Sequence, residues 1–239
     1  MPIWEVYSCF YGLSLSRLFP YRQLLEELNS ALDIKTGHCV LDAGCGPGLV
    51  IEKVIRENKS KGISITGVDF SRAMLRQARR RCRGEAAVKL HVADLNKELE
   101  FGDDTFDRVI CSNTLYALQS PARTIAELRR VLKPGGLLVA ANPKPEAGQR
   151  QIMNEHVAAI KKLTPLHRRV HGFVVTLSLT PVNLIVMAIN RTIIDRGRAK
   201  GYHFLDEEGL RNALLEAGFC DIEIRSCYAD QDWLVRAPK

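Results

Sequence analysis

Residues 40–48 read Val40-Leu41-Asp42-Ala43-Gly44-Cys45-Gly46-Pro47-Gly48, an apolar run that ends on an acid and then breaks into three alternating glycines. Such a run describes a buried parallel strand, a tight turn and the start of a helix. The glycines reach dihedrals that a β-carbon forbids, and they let a ligand lie against bare backbone. Alone the loop is ambiguous, because nicotinamide and flavin sites use a related one. A second apolar run, Ile63 to Val68, ends on Asp69, 25 residues after Gly44. An acid at that interval suits hydrogen bonding to both hydroxyls of a ribose. The nicotinamide loop is Gly-x-Gly-x-x-Gly, whereas here the glycines stand at 44, 46 and 48 behind a strand ending in Asp42. A pyrophosphate at the helix mouth is repelled by that acid; a zwitterionic tail tolerates it.

Outward from this loop, strands and helices alternate from Cys39 to Asn142 at the pace of βαβ units. Strands are expected at Cys39–Asp42, Ser64–Asp69, Val88–Val92, Asp107–Ser112 and Leu137–Asn142, with helices at Gly48–Asn58, Arg72–Cys82 and Pro121–Leu132. Ser120 caps the last of these, and Pro121 takes its first position. Lys133-Pro134-Gly135-Gly136 reads as a turn with proline second and glycine third. Near the C-terminus Asp206 caps a helix running through Ala217, and Asp221–Tyr228 and Trp233–Ala237 read as a strand pair.

Two regions break the rhythm. Residues 1–33 look helical and carry aromatics at Trp4, Tyr7, Phe10, Tyr11, Phe19 and Tyr21. Residues 146–203 interrupt the strands for longer than a loop lasts. They begin as a helix around Gln149–Leu163 and turn apolar from Phe173 to Ile194, with Thr180-Pro181 as a second cap. The expected division is an N-terminal helical lid (1–33), an α/β core (34–145 and 204–239) and a helical insertion (146–203) that covers an acceptor site.

A chain of 239 residues, 46% hydrophobic and 26% charged, fits one α/β domain with an insertion. Its seven cysteines, at 9, 39, 45, 82, 111, 220 and 227, have no metal spacing and read as free thiols in a reducing cytoplasm. The start Met-Pro-Ile-Trp-Glu lacks the basic and apolar regions of a secretory signal. The net charge of +7 allows an anionic partner without demanding one.

Four motifs follow in order: Leu-Asp-Ala-Gly-Cys-Gly-Pro-Gly, Gly-Val-Asp-Phe-Ser-Arg-Ala-Met-Leu, Ala-Asp-Leu, and Phe-Asp-Arg-Val-Ile-Cys-Ser-Asn, with Leu-Lys-Pro-Gly-Gly closing the set. Together they resemble the class I S-adenosylmethionine-dependent methyltransferases. The resemblance is to the small-molecule, type 11 group that includes ubiquinone and menaquinone biosynthesis enzymes, and it covers residues 38–142. It implies a Rossmann-like, seven-stranded, mostly parallel sheet with an α-helical cap. It further implies that Gly44, Gly46 and Gly48 pack the methionyl part of the cofactor while Asp42 organises the loop. Asp69 then holds the ribose, Phe70 contacts the adenine face, Asp94 accepts from the adenine amino group, and Leu95 offers a neighbouring backbone N–H. Asn113 borders the amino-acid end, and S-adenosyl-L-homocysteine is the product. Asp42 as a strand-end cap and Asp94 as ordinary turn chemistry are the structural alternatives.

Methyl transfer needs alignment and exclusion of water more than covalent help. Many small-molecule relatives carry histidines after the fourth strand; the matching stretch here is Leu115-Tyr116-Ala117-Leu118. Tyr116 is a candidate to orient an acceptor or line the pocket, with packing as the more common role for such a residue. His171 and His203, with His156 and His167, are the remaining candidates for a base, against the commoner reading of surface or packing histidines. No metal-ligand set is present in the sequence, so metal-assisted methylation is not expected.

The run from Phe173 to Ile189 is too short and polar to span a bilayer. Its margins are basic, with Lys161, Lys162, Arg168 and Arg169 before it and Arg191, Arg196, Arg198 and Lys200 after. The segment reads first as a cap over a greasy substrate and second, through 164–200, as a face resting peripherally on an anionic membrane. Arg72, Arg76, Arg79 and Arg83 form a helical stripe that reads as a solvated face, so nucleic acid is not an expected partner. The expectation is a cytoplasmic methyltransferase acting on a small hydrophobic acceptor at O, N or C. The alternatives are a cofactor-binding scaffold without turnover, and a methyltransferase for membrane lipid or RNA. The sequence leaves the oligomeric state open.

Overall fold

A computed structural model describes residues 15–182, 184–186, 188 and 202–239. The aromatics Trp4, Tyr7, Phe10 and Tyr11 and the basic margin from Arg191 to Lys200 lie outside the described residues. Seven strands form one sheet: β1 (Cys39–Ala43), β2 (Ser64–Asp69), β3 (Val88–Val92), β4 (Phe106–Ser112), β5 (Leu132–Pro143), β6 (Glu223–Cys227) and β7 (Asp232–Pro238). Their order is β3-β2-β1-β4-β5-β7-β6. The first five strands are parallel, and β7 runs antiparallel to both β5 and β6.

Seven helices are labelled in chain order: α1 (Phe19–Ala31), α2 (Leu49–Glu57), α3 (Arg72–Arg81), α4 (Pro121–Val131), α5 (Gln149–Lys161), α6 (Leu166–Ser178) and α7 (Glu207–Glu216). The sheet is covered on both faces, as a parallel sheet requires. Leu24, Leu28, Ile51, Val54 and Leu75 belong to one core, and Ile125, Leu128, Leu210 and Leu214 to the other.

Local chemistry sets the helix ends. Ser71, Ser120 and Asp206 each accept a backbone N–H of the first turn, as N-caps do. The face of α3 that buries Ala73, Met74, Leu75 and Ala78 leaves Arg72, Arg76 and Arg79 in solvent. Two arginines from the sheet cap the end of α1: Arg108 Nε donates to the Leu32 carbonyl at 2.6 Å and Arg236 Nε to that of Ala31 at 3.0 Å. These bonds satisfy carbonyls that a helix end leaves orphaned. Buried Lys53, paired with Glu26 and Glu57, ties α1 to α2.

Residues 133–136 depart from the simple turn expected there. Gly135 does have φ +71°, as the third position of such a turn demands, but the chain stays extended and β5 runs through it. Phe106 pairs with Leu132 and Arg108 with Leu137, so the turn is absorbed as an irregularity in the ladder.

The insertion also departs from expectation. Gly172 of α6 lies against Ile160 of α5, where a β-carbon would come within 3.1 Å. A relay joins three helices there: the Phe19 N–H donates to His156 Nδ1 at 3.2 Å, His156 Nε2 meets Thr176 Oγ1 at 3.0 Å, and that hydroxyl donates to the Gly172 carbonyl at 2.8 Å. Among the described residues no single helix is long and apolar enough to cross a membrane. Leu166–Ser178 and Thr180–Val186 meet that measure only as a pair bent by 45°.

Candidate functional site

The strand order reverses at β1, which has β2 on one side and β4 on the other. Open α/β sheets bind ligands in the crevice at that point, beyond the C-terminal strand ends. A cavity of about 350 Å³ lies there. Its walls are the loop after β1, Asp69 at the end of β2 with Phe70 beyond it, Asp94 to Asn96 after β3, and Ser112 at the end of β4 with Asn113, Thr114 and Tyr116 beyond it; Tyr21 of α1 and Tyr202 close it.

Asp69 is buried, and its carboxylate is already engaged. Oδ2 accepts from the Gly46 N–H at 2.9 Å and Oδ1 from the Ser71 N–H at 2.8 Å. Burial raises its pKa, and these two bonds pull it back. Asp42 is 1% exposed, and its Oδ2 has no hydrogen-bond partner. Burial, with the Asp69 carboxylate nearby, pushes Asp42 up to about 8. An orphaned buried oxygen beside a cavity is an acceptor for a ligand's donor.

The three glycines divide their work. A β-carbon on Gly44 would strike Thr114 Oγ1 at 2.3 Å, so this residue admits the loop after β4. Gly46, at φ +52°, has open space where its β-carbon would stand, and that space is the cavity. Gly48 does not line the cavity as expected; a β-carbon there would press on Ala78 of α3 at 3.0 Å, so its role is close helix packing. Arg81 clamps the same turn, its Nε donating to the Pro47 carbonyl at 3.0 Å and its guanidinium pairing with Glu52 at 2.9 Å.

On the β2–β3 side, Phe70 is 57% exposed at the cavity rim. Asp94 Oδ1 accepts from both the backbone and the side-chain amide of Asn96, at 3.0 and 2.9 Å. Leu95 is buried, and its carbonyl accepts from Thr124 Oγ1 at 3.0 Å. Across the cavity Asn113, at φ +52°, holds its backbone through Ala141 at 2.8 Å and its side chain on Asp232. Asp232 is 2% exposed with Oδ2 unpartnered, and burial pushes its pKa up to about 7. Tyr116 stacks on Phe204 at 5.3 Å and meets Tyr202 edge-on at 5.7 Å; burial raises its phenol.

The structure therefore brings Asp42, Gly44, Gly46, Asp69, Phe70, Asp94, Leu95, Asn113 and Tyr116 to one cavity. Two of the histidines stand elsewhere. His171 lines a separate groove between α1, α5 and α6, because α6 packs on α5 and not over the glycine loop. His203 points Nε2 at the Gln119 carbonyl, 3.1 Å away, while its backbone N–H donates to Tyr116; it pins a strand-end segment. Likewise no described residue from 164 to 182 lines the cavity, so this part of the expected cap does not sit over it. Sequence reasoning missed Asp232, Thr114 and Asn142, whose Oδ1 accepts the Tyr116 N–H at 3.2 Å. Asp232 carries no local signal; only the β5–β7 register, which sets it opposite Pro143, brings it behind Asn113.

Residues 41–140 match the family model described as a methyltransferase domain. Over that stretch the chain is similar to class I S-adenosylmethionine-dependent methyltransferases of the type 11 group. Over 123 residues the domain is 34% identical to the methyltransferase GfsG of Streptomyces halstedii, covering 50% of this chain and 43% of that protein. It is 37% identical over 108 residues to a ubiquinone/menaquinone biosynthesis C-methyltransferase of Desulfotalea psychrophila, covering 45% of this chain and 42% of that one. The crystal structure of a SAM-dependent methyltransferase from Aquifex aeolicus shares the fold, with a TM-score of 0.62, 18% identity and 97% of each chain covered. The chain spans 35%, 43% and 64% of the length of three curated relatives it matches. The cofactor of this methyltransferase family is S-adenosyl-L-methionine, and the residues present fit it. Gly46 faces open space, Asp42 offers an unpartnered oxygen, and Phe70 is 57% exposed at the cavity rim.

Proposed function

We propose that the protein transfers a methyl group from S-adenosylmethionine to a small, apolar acceptor seated at the tyrosine end of the cavity. One observation supports this most directly: the cavity runs without a break from the glycine loop and Asp69 to Tyr21, Tyr116 and Tyr202. The cofactor, when bound, supplies a methyl already activated on a sulfonium, so the chain's own task is to place and to enclose.

Asp69 accepts the ribose hydroxyls on the lone pairs its two backbone bonds leave over. Phe70 lies against the adenine, Asp94 accepts from its amino group, and Leu95 presents a backbone N–H beside it. The methionyl end rests on Gly44 and Gly46, with Asp42 accepting from a donor there. Tyr21, Tyr116 and Tyr202 give the acceptor an apolar wall that keeps water away. Asp232 positions Asn113 at the rim.

The test is to incubate the protein with S-adenosylmethionine and a panel of lipophilic phenols, quinone precursors and amines, reading S-adenosyl-L-homocysteine by mass spectrometry. Acceptor-dependent product supports the reading. Tight cofactor binding without turnover on any acceptor overturns it in favour of a scaffold.

A further inference from the structure

α6 is a helix with no buried residue. Its large apolar side chains Leu166, Val170, Val174 and Leu177 are 67%, 54%, 57% and 74% exposed, and their spacing puts them on one face. Of the ten exposed large apolar side chains among the described residues, seven lie between Leu166 and Ile185. Soluble proteins scatter such residues singly, and a contiguous patch marks a surface that something covers.

The charge around this patch selects the occupant. From His156 to Ile194, 39 residues, the sequence has no Asp or Glu but five Lys or Arg and three His. Beside the patch a groove of about 610 Å³ carries Arg17, Arg22 and Arg168 together with His167 and His171. Its floor is apolar, from Leu18, Phe19, Leu163, Val175 and Leu179. Apolar side chains flanked by cations and free of acids match the boundary between acyl chains and anionic headgroups. A partner protein's apolar surface calls for no such exclusion of carboxylates. The 45° bend after Ser178 keeps the two helical pieces from forming one straight span, which suits a segment lying in the interface.

We propose that α6 docks this protein on an anionic lipid bilayer, with Leu166, Val170, Val174 and Leu177 entering the headgroup boundary and Lys161, Lys162 and Arg168 meeting lipid phosphates. The surface is separate from the cofactor cavity, so the inference stands whether or not the acceptor is apolar.

The experiment is flotation of the full chain with large unilamellar vesicles, one set phosphatidylcholine alone and one with about 30% phosphatidylglycerol. The protein is expected to float with the anionic set only and to be released when salt rises from about 0.1 to about 0.5 M. Val174→Asp/Leu177→Asp should lower partitioning at least about tenfold, equivalent to about 1.4 kcal/mol. Lys161→Glu/Lys162→Glu/Arg168→Glu should do the same. All five side chains are exposed, so unchanged circular-dichroism melts are expected of both variants. Equal binding to both vesicle sets, no binding to either, or indifference to the variants overturns the proposal. So does a dimer in sedimentation that Val174→Asp/Leu177→Asp splits, which would make a second copy the occupant.

Discussion

Replacing Asp69 with alanine tests the site at its most engaged residue. The substitution removes the acceptor of two backbone N–H groups, Gly46 at 2.9 Å and Ser71 at 2.8 Å, and, on the proposed function, of the ribose hydroxyls. Bonds to a charged group contribute about 1.5–3 kcal/mol each. In the ligand-free protein this gain is offset by the cost of burying the carboxylate, which is why burial raises its pKa despite both bonds. The loss of global stability is therefore expected to be modest. Cofactor affinity should fall by about 2–4 kcal/mol, because the ribose loses its acceptor and the Gly46 turn loses its anchor. Titration calorimetry with S-adenosylmethionine should then read a Kd about thirtyfold to a thousandfold weaker. Asp69→Asn should lie between, since its one carbonyl oxygen serves a single N–H while its amide group opposes the other. An alanine variant that folds normally and binds the cofactor as the parent does would refute both the ribose role and the anchoring argument.

Gly46→Val puts a branched side chain into the open space of the cavity at φ +52°, so cofactor binding should weaken by more than about tenfold while Gly46→Ala weakens less, both read by calorimetry. Asp232→Asn should flatten the pH dependence of stability. The folded pKa of Asp232, about 7, lies above an unfolded value of about 3.9, so the parent loses stability as pH climbs between the two and no further beyond. That gap corresponds to roughly 4 kcal/mol at most, and urea titrations at pH 4 to 8 that run parallel in parent and variant would contradict it. His171→Ala and His203→Ala should leave turnover within about twofold of the parent, because neither imidazole lines the cavity; a loss beyond about a hundredfold in either would restore a histidine base.

The α/β core was legible because its signals are local. Strand β1 and the loop after it follow from an apolar run and a glycine pattern, and α4 from Ser120 and Pro121, whose N-cap is present as expected. Asp69 was legible because it ends a strand at a set interval. What sequence could not yield depends on register and packing. Gly48 looks like its neighbours in the loop, yet only the approach of Ala78 shows that it serves helix packing. Asp232 gains its place from the antiparallel β5–β7 ladder, which no local pattern encodes. The apolar content of α6 suggested a cap, but periodicity cannot say which body a helix leans on; the pairing of Gly172 with Ile160 decides it.

The position of α1 has a mechanical consequence. Tyr21 faces the cofactor cavity, while Phe19 and Arg22, within a single turn of it, face the basic groove. The backbone at Phe19 is fastened to His156, and through Thr176 to α6. One rigid rod thus serves as the partition between two chambers and cannot tilt toward one without changing the other. Thermodynamic reciprocity sets the rule for any such shift: the factor by which an occupant of the groove changes affinity at the cavity equals the factor by which an occupant of the cavity changes affinity at the groove. The two chambers are hinged on the same door.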